Sequence, residues 1–524
     1  MASPKSFRGF GNRRRLILFI QAALVSVVAA IGIALSELPA NLDNTVFPAC
    51  VLVSVIAVWN FWSWRLLGRE WFGPYGLFLM SASLFNGGQA FLEVLGLNVN
   101  GVLAGHYAPE LTVKALYLIA LGLAALHLGA IGAIRKPAVR THFRPRPSDD
   151  ERDRASRAVG WSCLLISAFP NVLVLRDMLS VVASRGYTGL TDRPVEDVLP
   201  ASIRLLAGFL VPGVMFLAAG SRRHRHSLTL AAIVMAVYSG IVMYSGMRRL
   251  GAPLFISFVW LYHSRIRRLP RAAILSTGVA LLALFTLVSE VRNEPGPWLD
   301  AVQKARATSS AAQNPIVGAI TEMGNTAGTV ADTINLWPAA RPFDYGIGYG
   351  YALLTLIPNV GWAVHPTAAR GTYSEWLTRM VELRTDVHGG GFGYSFIAEP
   401  FANFGWYGVV PLLVLTGYLL VKMFEWATLT DDPAKYAAVA TFIVPLLFFP
   451  RAETAELFRP LVYYSLLSYV AAGLWTKRFL SKSRAGQPQR IAPRVTGRRP
   501  VPGGQPSLES TAPRRGSLAN SSPT

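Results

Sequence analysis

The stretch LILFIQAALVSVVAAIGIAL, residues 16–35, is apolar almost throughout and carries no charge. An α-helix of about twenty apolar residues is long enough to cross the hydrocarbon core of a bilayer. Similar runs recur along most of the 524-residue chain, in which 52% of the residues are hydrophobic and only 15% are charged. A soluble domain of this size would carry more charge. The sequence therefore predicts an all-α, polytopic membrane helix bundle.

The apolar runs predict about twelve transmembrane helices. Their expected positions are 16–35, 46–64, 72–96, 111–134, 158–180, 199–219, 228–246, 250–263, 272–290, 395–421, 436–450 and 460–476. The first run could also be a signal peptide, but its length and the absence of a small-residue cleavage pattern favour a retained helix.

Clusters of Lys and Arg predict the orientation, because cytoplasmic loops carry an excess of them. Basic clusters occur before the first run, in 135–157, at SRRHRH (221–226), at SRIRRLPR (264–271) and in the C-terminal tail. With twelve spans all of these lie on one side. That side is expected to be cytoplasmic, with both termini inside.

The same pattern predicts three regions: a basic N-terminus (1–15), a transmembrane domain (16–480) with one large outer loop (291–394), and a disordered basic tail (481–524). Topology signals and a basic tail near anionic lipid account for much of the net charge of +21. The tail has no aromatic residue past Phe479, so nucleic-acid binding is not expected. Cys50 and Cys163 lie inside predicted spans and indicate neither a disulfide framework nor a metal site.

Two helices are expected in the outer loop. Apolar residues recur with helical period in residues 313–337, which predicts a helix there. Asn314 can cap this helix, and Pro315 suits its first turn. Residues 372–384, TYSEWLTRMVELR, predict a second helix, which either lies along the membrane surface or packs onto the bundle.

A carboxylate lies where the tenth predicted span begins, in YSFIAEPFANFG (394–405). Ser395, Glu399 and Asn403 would share one helix face, which should point to a cavity or to the bundle. The glycine-rich lead-in should allow tight packing, and Pro400 should kink or break the helix. Glu399 could lock the bundle by pairing with an arginine, act as a base, or bind sugar. Among other buried candidates, His127 is interpreted as a satisfied core histidine.

Two adjacent cations occupy a very short outer turn, MYSGMRRLGAPL (243–254). Arg248 and Arg249 repel each other at the bilayer edge, and an anion would relieve that repulsion. The planar fork of arginine suits phosphate oxygens, so a lipid diphosphate is the expected ligand. Alternatively, the two arginines brace the turn through carbonyls or a glutamate such as Glu453. Arg451 in the last outer turn and Arg176, which could reach the outer surface, are further candidates for phosphate binding.

The chain resembles the O-antigen polysaccharide polymerases, the Wzy-type oligosaccharide repeat-unit polymerases. The resemblance is carried, in order, by SGMRR (245–249), YGIGYGYALLTLIPNVGWAVHP (345–366), GFGYSFIAEPFANFGWYG (391–408) and FPRAETAELFRPLVYY (449–464). The chain departs from the family pattern at His365, where lysine is frequent, and at Met247, where serine is common.

The resemblance implies a membrane enzyme that transfers a growing glycan from one polyprenyl diphosphate carrier to a sugar hydroxyl of another lipid-linked unit, on the outer face of the cytoplasmic membrane. A glycosyltransferase-C-like architecture is compatible with it. The implied partners are the polyprenyl-diphosphate-linked oligosaccharide, the lipid bilayer, a flippase and a chain-length regulator, and no cofactor is expected. No Asp-x-Asp motif of the nucleotide-sugar kind lies on the predicted outer side, so a metal-independent reaction is the simpler expectation.

The expected site follows from that chemistry, because the leaving diphosphate needs cations and the attacking hydroxyl needs a base. The expected site residues are Arg248, Arg249, Arg451 and Arg176 for the diphosphate; Glu399 and His388 for catalysis, with Asp386 as a further base candidate; and Asn403, Ser395, His365 and Glu322 for the glycan. A glycan ligase of the related class would use the same chemistry, so this alternative function stays open. The other alternative, a lipid-linked oligosaccharide flippase or transporter, predicts an internal repeat, and we find none in the sequence.

Overall fold

The long apolar runs of the sequence fold into helices. The computed structural model describes residues 4–37, 45–98, 102–134, 148–186, 188–190, 199–291, 314–359, 361–385 and 393–485. Within these ranges every regular element is helical, and no strand occurs. Residues 1–480 form one structural unit and residues 481–524 a second, of which 481–485 are helical. The predicted disordered tail otherwise lies outside the described residues.

The described helices are α1 (Pro4–Glu37), α2 (Val46–Leu66), α3 (Pro74–Val94), α4 (Pro109–Ala133), α5 (Ser148–Arg185), α6 (Ala201–Ala207), α7 (Leu210–Ala219), α8 (Arg225–Tyr244), α9 (Arg248–Leu261), α10 (Arg271–Val291), α11 (Pro315–Gly324), α12 (Thr326–Leu336), α13 (Ile347–Leu354), α14 (Pro366–Arg370), α15 (Tyr373–Thr385), α16 (Ala398–Thr428), α17 (Pro433–Leu446), α18 (Ala455–Arg459) and α19 (Leu467–Ala485). Short 3₁₀ turns occur at Val102–Gly105, Thr188–Leu190 and Phe449–Arg451, and π-helical turns at Tyr262–Ile266 and Pro460–Leu466.

Nine helical segments of the described chain are long and apolar enough to cross a membrane. They are Phe10–Leu35, Val46–Leu66, Pro109–Ala133, Asp149–Arg185, Ala201–Ala219, Arg225–Tyr244, Ala398–Thr428, Pro433–Arg451 and Ala455–Ser481. The other three predicted spans coincide with α3, α9 and α10, which are helical. That these three also cross the membrane stays a prediction.

The core of the bundle is built around α4, of whose apolar window 83% is buried. α4 packs against α1, α2, α12 and α16. A Cβ atom added to Gly129 of α4 would come within 1.9 Å of the Val414 carbonyl oxygen, and one added to Gly417 of α16 within 1.9 Å of the Leu126 oxygen. Small residues therefore let these two backbones approach closely, as helices in membranes commonly do.

A second group of helices, α5, α7, α8, α9 and α17, packs together beside the first and meets it where α17 contacts α16. His127 of α4 is a fully buried polar side chain inside the bundle. His127 contacts Ser63 Oγ at 2.8 Å and Tyr75 Oη at 3.0 Å, so its interpretation as a satisfied core histidine is confirmed. Cys50 and Cys163 are buried and free.

The basic segments meet at one end of the bundle, here called the basic end. Arg265 pairs with Asp153 at 2.9 Å and with Asp431 at 2.6 Å, joining the starts of α5 and α17 to the end of α9. Arg14 donates to the Gly132 carbonyl at 2.8 Å. The start of α5 and the 264–271 cluster therefore lie close together, and the N-terminal cluster lies at the end of α4.

The predicted helix 313–337 is two helices, α11 and α12, which meet at Asn325. Asn314 caps α11, as predicted, by accepting from the Ile316 N–H at 3.0 Å. The chain breaks where it touches α3: Gln89 Nε2 donates to Asn325 Oδ1 at 2.6 Å, and a Cβ on Gly324 would come within 2.7 Å of the Gln89 nitrogen. A tertiary contact and the weak helix propensity of glycine explain the break.

The helix break expected at Pro400 occurs instead at Gly405, whose φ is +64°. Pro400 lies in the first turn of α16, where a backbone N–H has no intrahelical partner to lose. Glycine adopts the positive φ at no steric cost, so the chain bends five residues later.

Candidate active site

A cleft of about 540 Å³ opens at the end of the bundle opposite the basic end, here called the cleft end. α13, α14, the start of α15, the turn at Glu453 and α18 form its walls. The charged side chains that line it are Arg341, Arg370, Arg459, Glu375, Glu453 and Glu456. Cations and carboxylates in one cleft can hold an anionic group and accept a proton.

Two of the cleft arginines share one carboxylate. Asp344 Oδ2 lies 2.5 Å from Arg370 Nη2 and 3.2 Å from Arg341 Nη2, and it also accepts from the Tyr373 hydroxyl. Burial, together with this hydrogen bond to Asp344, raises the pKa of the Tyr373 phenol, so Tyr373 remains a donor. Because two guanidinium groups share a single carboxylate, this cluster keeps a net positive charge.

Aromatic rings hold the same two arginines in place. The Arg341 guanidinium lies 5.1 Å from the Tyr373 ring centroid and 5.3 Å from that of Trp376, and Arg370 lies 4.7 Å from that of Tyr351. Cation–π contacts of this kind stabilise a cation without consuming its hydrogen-bond donors. Both cations are therefore oriented before any ligand arrives.

The helix α15 presents its N-terminus to the cleft because of a reciprocal cap. Thr372 N–H donates to Glu375 Oε2 at 2.9 Å, and Glu375 N–H donates to Thr372 Oγ1 at 3.1 Å. This is a capping box, which starts a helix at the next residue. Leu377 is buried and Trp376 packs against Trp337 at 4.6 Å, so the predicted apolar face of this helix packs onto the bundle.

Glu399 lies behind the cleft and is only 2% exposed. Its Oε2 accepts from the backbone N–H of Thr454 at 2.8 Å and from the Thr454 hydroxyl at 2.6 Å. Asn403 donates to the Glu399 carbonyl at 2.9 Å and to the Tyr373 hydroxyl at 3.2 Å, and its Oδ1 accepts from Gly346 N–H at 3.1 Å.

Ser395 precedes α16 and is fully buried. Its hydroxyl donates to Asn86 Oδ1 at 2.6 Å and accepts from the Ile397 N–H at 3.1 Å. The polar stripe of Ser395, Glu399 and Asn403 therefore faces the bundle interior, as predicted. The expected tight packing before it occurs at Gly393, which has a φ of +71° and a Cβ position within 2.8 Å of Arg451 Cγ.

Glu453 is the carboxylate that lines the cleft while being almost fully buried, at 5% exposure. Its Oε2 accepts from the Tyr373 N–H at 3.4 Å, and Oε1 has no hydrogen-bond partner among the described residues. Burial and the nearby Glu399 carboxylate raise the pKa of Glu453 to about 8. Near neutral pH this group can therefore both accept and release a proton.

The arginines predicted for a diphosphate fall in different places. Arg248 is buried and makes a bidentate pair with Glu322, with Nη1 2.9 Å from Oε2. Arg249 is exposed and interacts electrostatically with Glu456 of the cleft wall. Arg451 accepts at its carbonyl oxygen from the Tyr394 N–H at 3.3 Å. Arg176 is exposed on α5.

The predicted histidines also separate. His365 caps α14: its Nδ1 accepts from the Thr367 N–H at 3.2 Å, which leaves Nε2 to donate to the Ile357 carbonyl oxygen at 3.1 Å. Both ring nitrogens are thus engaged within the loop. His388 and Asp386 lie outside the described residues.

Several cleft residues were not singled out from the sequence. Arg341, Arg370 and Arg459 stand out only as arginines on the predicted outer side, and Asp344 and Tyr373 carry no local signal for binding. The Thr-x-x-Glu capping box at 372–375 would have predicted where α15 begins. The π-helical turn Pro460–Leu466, which brings Tyr464 to the cleft, is of a kind often found at functional sites.

The chain was compared with protein families, curated proteins and solved structures. The family model for O-antigen polysaccharide polymerase Wzy matches residues 17–483. No curated protein and no solved structure gives a significant match. The family match spans the helical bundle and every described residue of the cleft. The chain thus belongs to the O-antigen polysaccharide polymerase Wzy family, as a multi-pass membrane protein of polysaccharide biosynthesis.

Proposed function

We propose that this protein polymerises polyprenyl-diphosphate-linked oligosaccharide repeat units on the outer face of the cytoplasmic membrane. In each cycle the growing glycan leaves its lipid carrier and joins a sugar hydroxyl of the next lipid-linked unit. The observation that carries the proposal is the cleft, in which oriented arginines and a buried carboxylate with one unpartnered oxygen face the same space.

The arginines suit the leaving group. Breaking the bond to the carrier places negative charge on a diphosphate, and cations oriented in advance stabilise that charge without reorganising. Arg370 and Arg341 are held by Asp344 and by aromatic faces, and Arg459 is held by the Thr355 carbonyl oxygen at 2.8 Å from Nη2. Their forked donors match phosphate oxygens. We assign the diphosphate to these three residues, with Arg249 at the edge of the same cleft.

The orientation follows from the two ends of α16. Glu399 lies near its first residue at the cleft end, and Glu425 near its last pairs with Arg69 at 2.7 Å. After the break at Gly405, residues 406–425 run as one helix and span about 29 Å at 1.5 Å per residue, close to the thickness of a bilayer core. Because the basic clusters gather at the other end, the positive-inside rule favours an outward cleft.

The other predicted site residues receive supporting roles. Arg248 and Glu322 brace the start of α9 against α11 through their buried pair. Asn403 and Ser395 hold the start of α16 against its neighbours through their hydrogen bonds. Arg451 orders the turn before Glu453 through its carbonyl oxygen. Such support keeps the cleft groups in position for reaction.

The test is a reconstitution. Purified protein is mixed with lipid-linked single repeat units extracted from cells that lack the polymerase, and the products are separated by size. A ladder of lengthened glycans, with release of free polyprenyl diphosphate, is expected. Transfer of glycan only to an acceptor without a diphosphate would identify a ligase. Passage of lipid-linked units across a vesicle membrane without lengthening would identify a flippase.

A further inference from the structure

We propose that Glu453 is the general base of the transfer, the group that takes the proton from the attacking sugar hydroxyl, and that Glu399 is its positioning residue. The inference rests on the proposed polymerase function and names the residue that does the proton transfer within it. It differs from the expectation from sequence, in which Glu399 and His388 were the candidate catalytic residues and Glu453 only a possible partner of the arginine turn.

An oxygen without a partner, in a side chain that lines the cleft, distinguishes Glu453 from Glu399. Glu453 lines the cleft, and its Oε1 has no hydrogen-bond partner among the described residues although the side chain is about nineteen-twentieths buried. A buried polar atom without a partner is costly and calls for an explanation. A substrate hydroxyl that donates to Oε1 would supply the missing partner.

Glu399, by contrast, directs its Oε2 into the protein. Two donors of the single residue Thr454 bind that oxygen at 2.8 and 2.6 Å. Thr454 follows Glu453 directly, so these bonds hold the backbone of the turn from which Glu453 projects. Glu399 therefore orients the base through its neighbour.

The N-terminus of α15 lies on the other side of Glu453. The Tyr373 N–H donates to Oε2, and the Ser374 N–H also favours the charged form of the carboxylate. Unpaired N–H groups at a helix start attract negative charge. These N–H groups hold Oε2, while Oε1 has no partner among the described residues.

The surrounding charges set the proton affinity of Glu453. The titratable and charged groups that face it are Glu399 on α16, Glu456 on α18, Tyr373 on α15 and Tyr394 before α16, with Arg370 and Arg459 across the cleft. Burial is the largest influence on the pKa of Glu453, and the Glu399 carboxylate comes next. The Tyr373 N–H opposes them and Glu456 adds a smaller increase, so that the pKa of Glu453 is raised to about 8. A general base works best with a pKa near the working pH.

The step balances as a nucleophilic substitution at the anomeric carbon. The acceptor hydroxyl oxygen attacks C1 of the growing glycan, and a new C1–O bond forms. The bond from C1 to the diphosphate oxygen breaks, and its electron pair stays on the diphosphate beside the arginines. The hydroxyl proton passes to Glu453 Oε1 and then to water, so the products are a longer lipid-linked glycan and polyprenyl diphosphate.

The test compares Glu453→Gln with Glu399→Gln, with Glu110→Gln as the matched control. Glu110 is a half-exposed carboxylate that pairs with Lys114 at 2.6 Å. Each variant is purified, checked for a monodisperse folded state, and assayed with lipid-linked units from pH 6 to 9.5. We expect the maximal rate of Glu453→Gln to fall by about a hundredfold or more, with little change in KM. The control should match the wild type.

The pH profiles separate the two glutamates. The wild-type rate should rise with pH through about 8, because the base must be deprotonated to act. Glu453→Gln should lose this rise. Glu399→Gln should keep it, shifted to lower pH, because one of the negative charges that raise the pKa of Glu453 is gone. Glu453→Asp should keep the rise at a reduced rate.

Contrary results are equally defined. If Glu399→Gln loses the pH-dependent rise and Glu453→Gln keeps it, Glu399 is the base and this inference is wrong. Less folded Glu453→Gln protein with normal activity per folded molecule would assign Glu453 a structural role only. If the wild type makes no ladder, the proposed polymerase function is wrong. If the wild type makes a ladder and Glu453→Gln makes it equally well, the function stands and the assignment of Glu453 as the base is wrong.

Discussion

The Arg248–Glu322 pair offers a direct test of what the arginine turn does. Its side chains are only 6% and 22% exposed, and both guanidinium nitrogens bond to the carboxylate. Removing one partner of a buried pair costs about 3–5 kcal/mol, because the other charge stays buried without compensation. A protein with a total stability of about 5–15 kcal/mol would lose a large part of it.

The expected order of effects follows from burial. Glu322→Ala should be worse than Arg248→Ala, because it takes the bidentate carboxylate partner from the more deeply buried charge. Replacing both by apolar residues of similar volume, Arg248→Met with Glu322→Leu, should recover most of the loss, since such exchanges are often close to neutral. The coupling between the two sites measures the pair itself.

The assay measures folded protein and activity separately. Membrane abundance and the apparent melting temperature in detergent report folding, and the glycan ladder per folded molecule reports chemistry. We expect both single variants to lose folded protein and melting temperature while keeping activity per folded molecule. An Arg248→Ala protein that melts like the wild type but fails to polymerise would refute the bracing role and restore Arg248 to the diphosphate site.

Three further predictions concern the cleft and its orientation. Arg370→Ala should lower the rate by about ten- to a hundredfold, which corresponds to the loss of a charge-assisted hydrogen bond of about 1.5–3 kcal/mol. Arg370→Lys should restore the rate only in part, because lysine lacks the forked pair of N–H donors of a guanidinium group. Full activity of the lysine variant would mean that charge alone suffices. A cysteine that replaces the exposed Gly350 should react with an impermeant thiol reagent in intact cells, and one that replaces Arg223, on the basic end, should not. The reverse labelling would mean that the cleft faces the cytoplasm. Since the folded-state pKa of Glu453 is raised to about 8, the folded protein binds more protons than the unfolded chain between about pH 4.3 and 8, and stability falls as pH rises through that window. Glu453→Gln should therefore raise the melting temperature relative to wild type at pH 8.5 more than at pH 5, and an equal difference at both pH values would contradict the raised pKa.

The helices were predictable because their signals are local. Long apolar runs must satisfy their own backbone hydrogen bonds in a bilayer, and the helix does so within the segment. The Asn314 cap, the burial of Glu399 and the core placement of His127 were likewise predictable from short-range pattern. Glu399 was correctly expected to face the bundle, and the residue that hydrogen-bonds its Oε2 is Thr454, 55 residues away.

By itself, the sequence determined the class of the protein, the order of its helices and the charge asymmetry of its loops, because composition and periodicity act over a few turns of chain. Only the tertiary structure decided what meets in the cleft. Asp344 joins Arg370 across 26 residues, and Arg248 joins Glu322 across 74. A hydrophobic pattern tells which face of a helix is buried, but not against which partner it packs. The pairing of charges, and the oxygen of Glu453 left without a partner, exist only once the helices have packed.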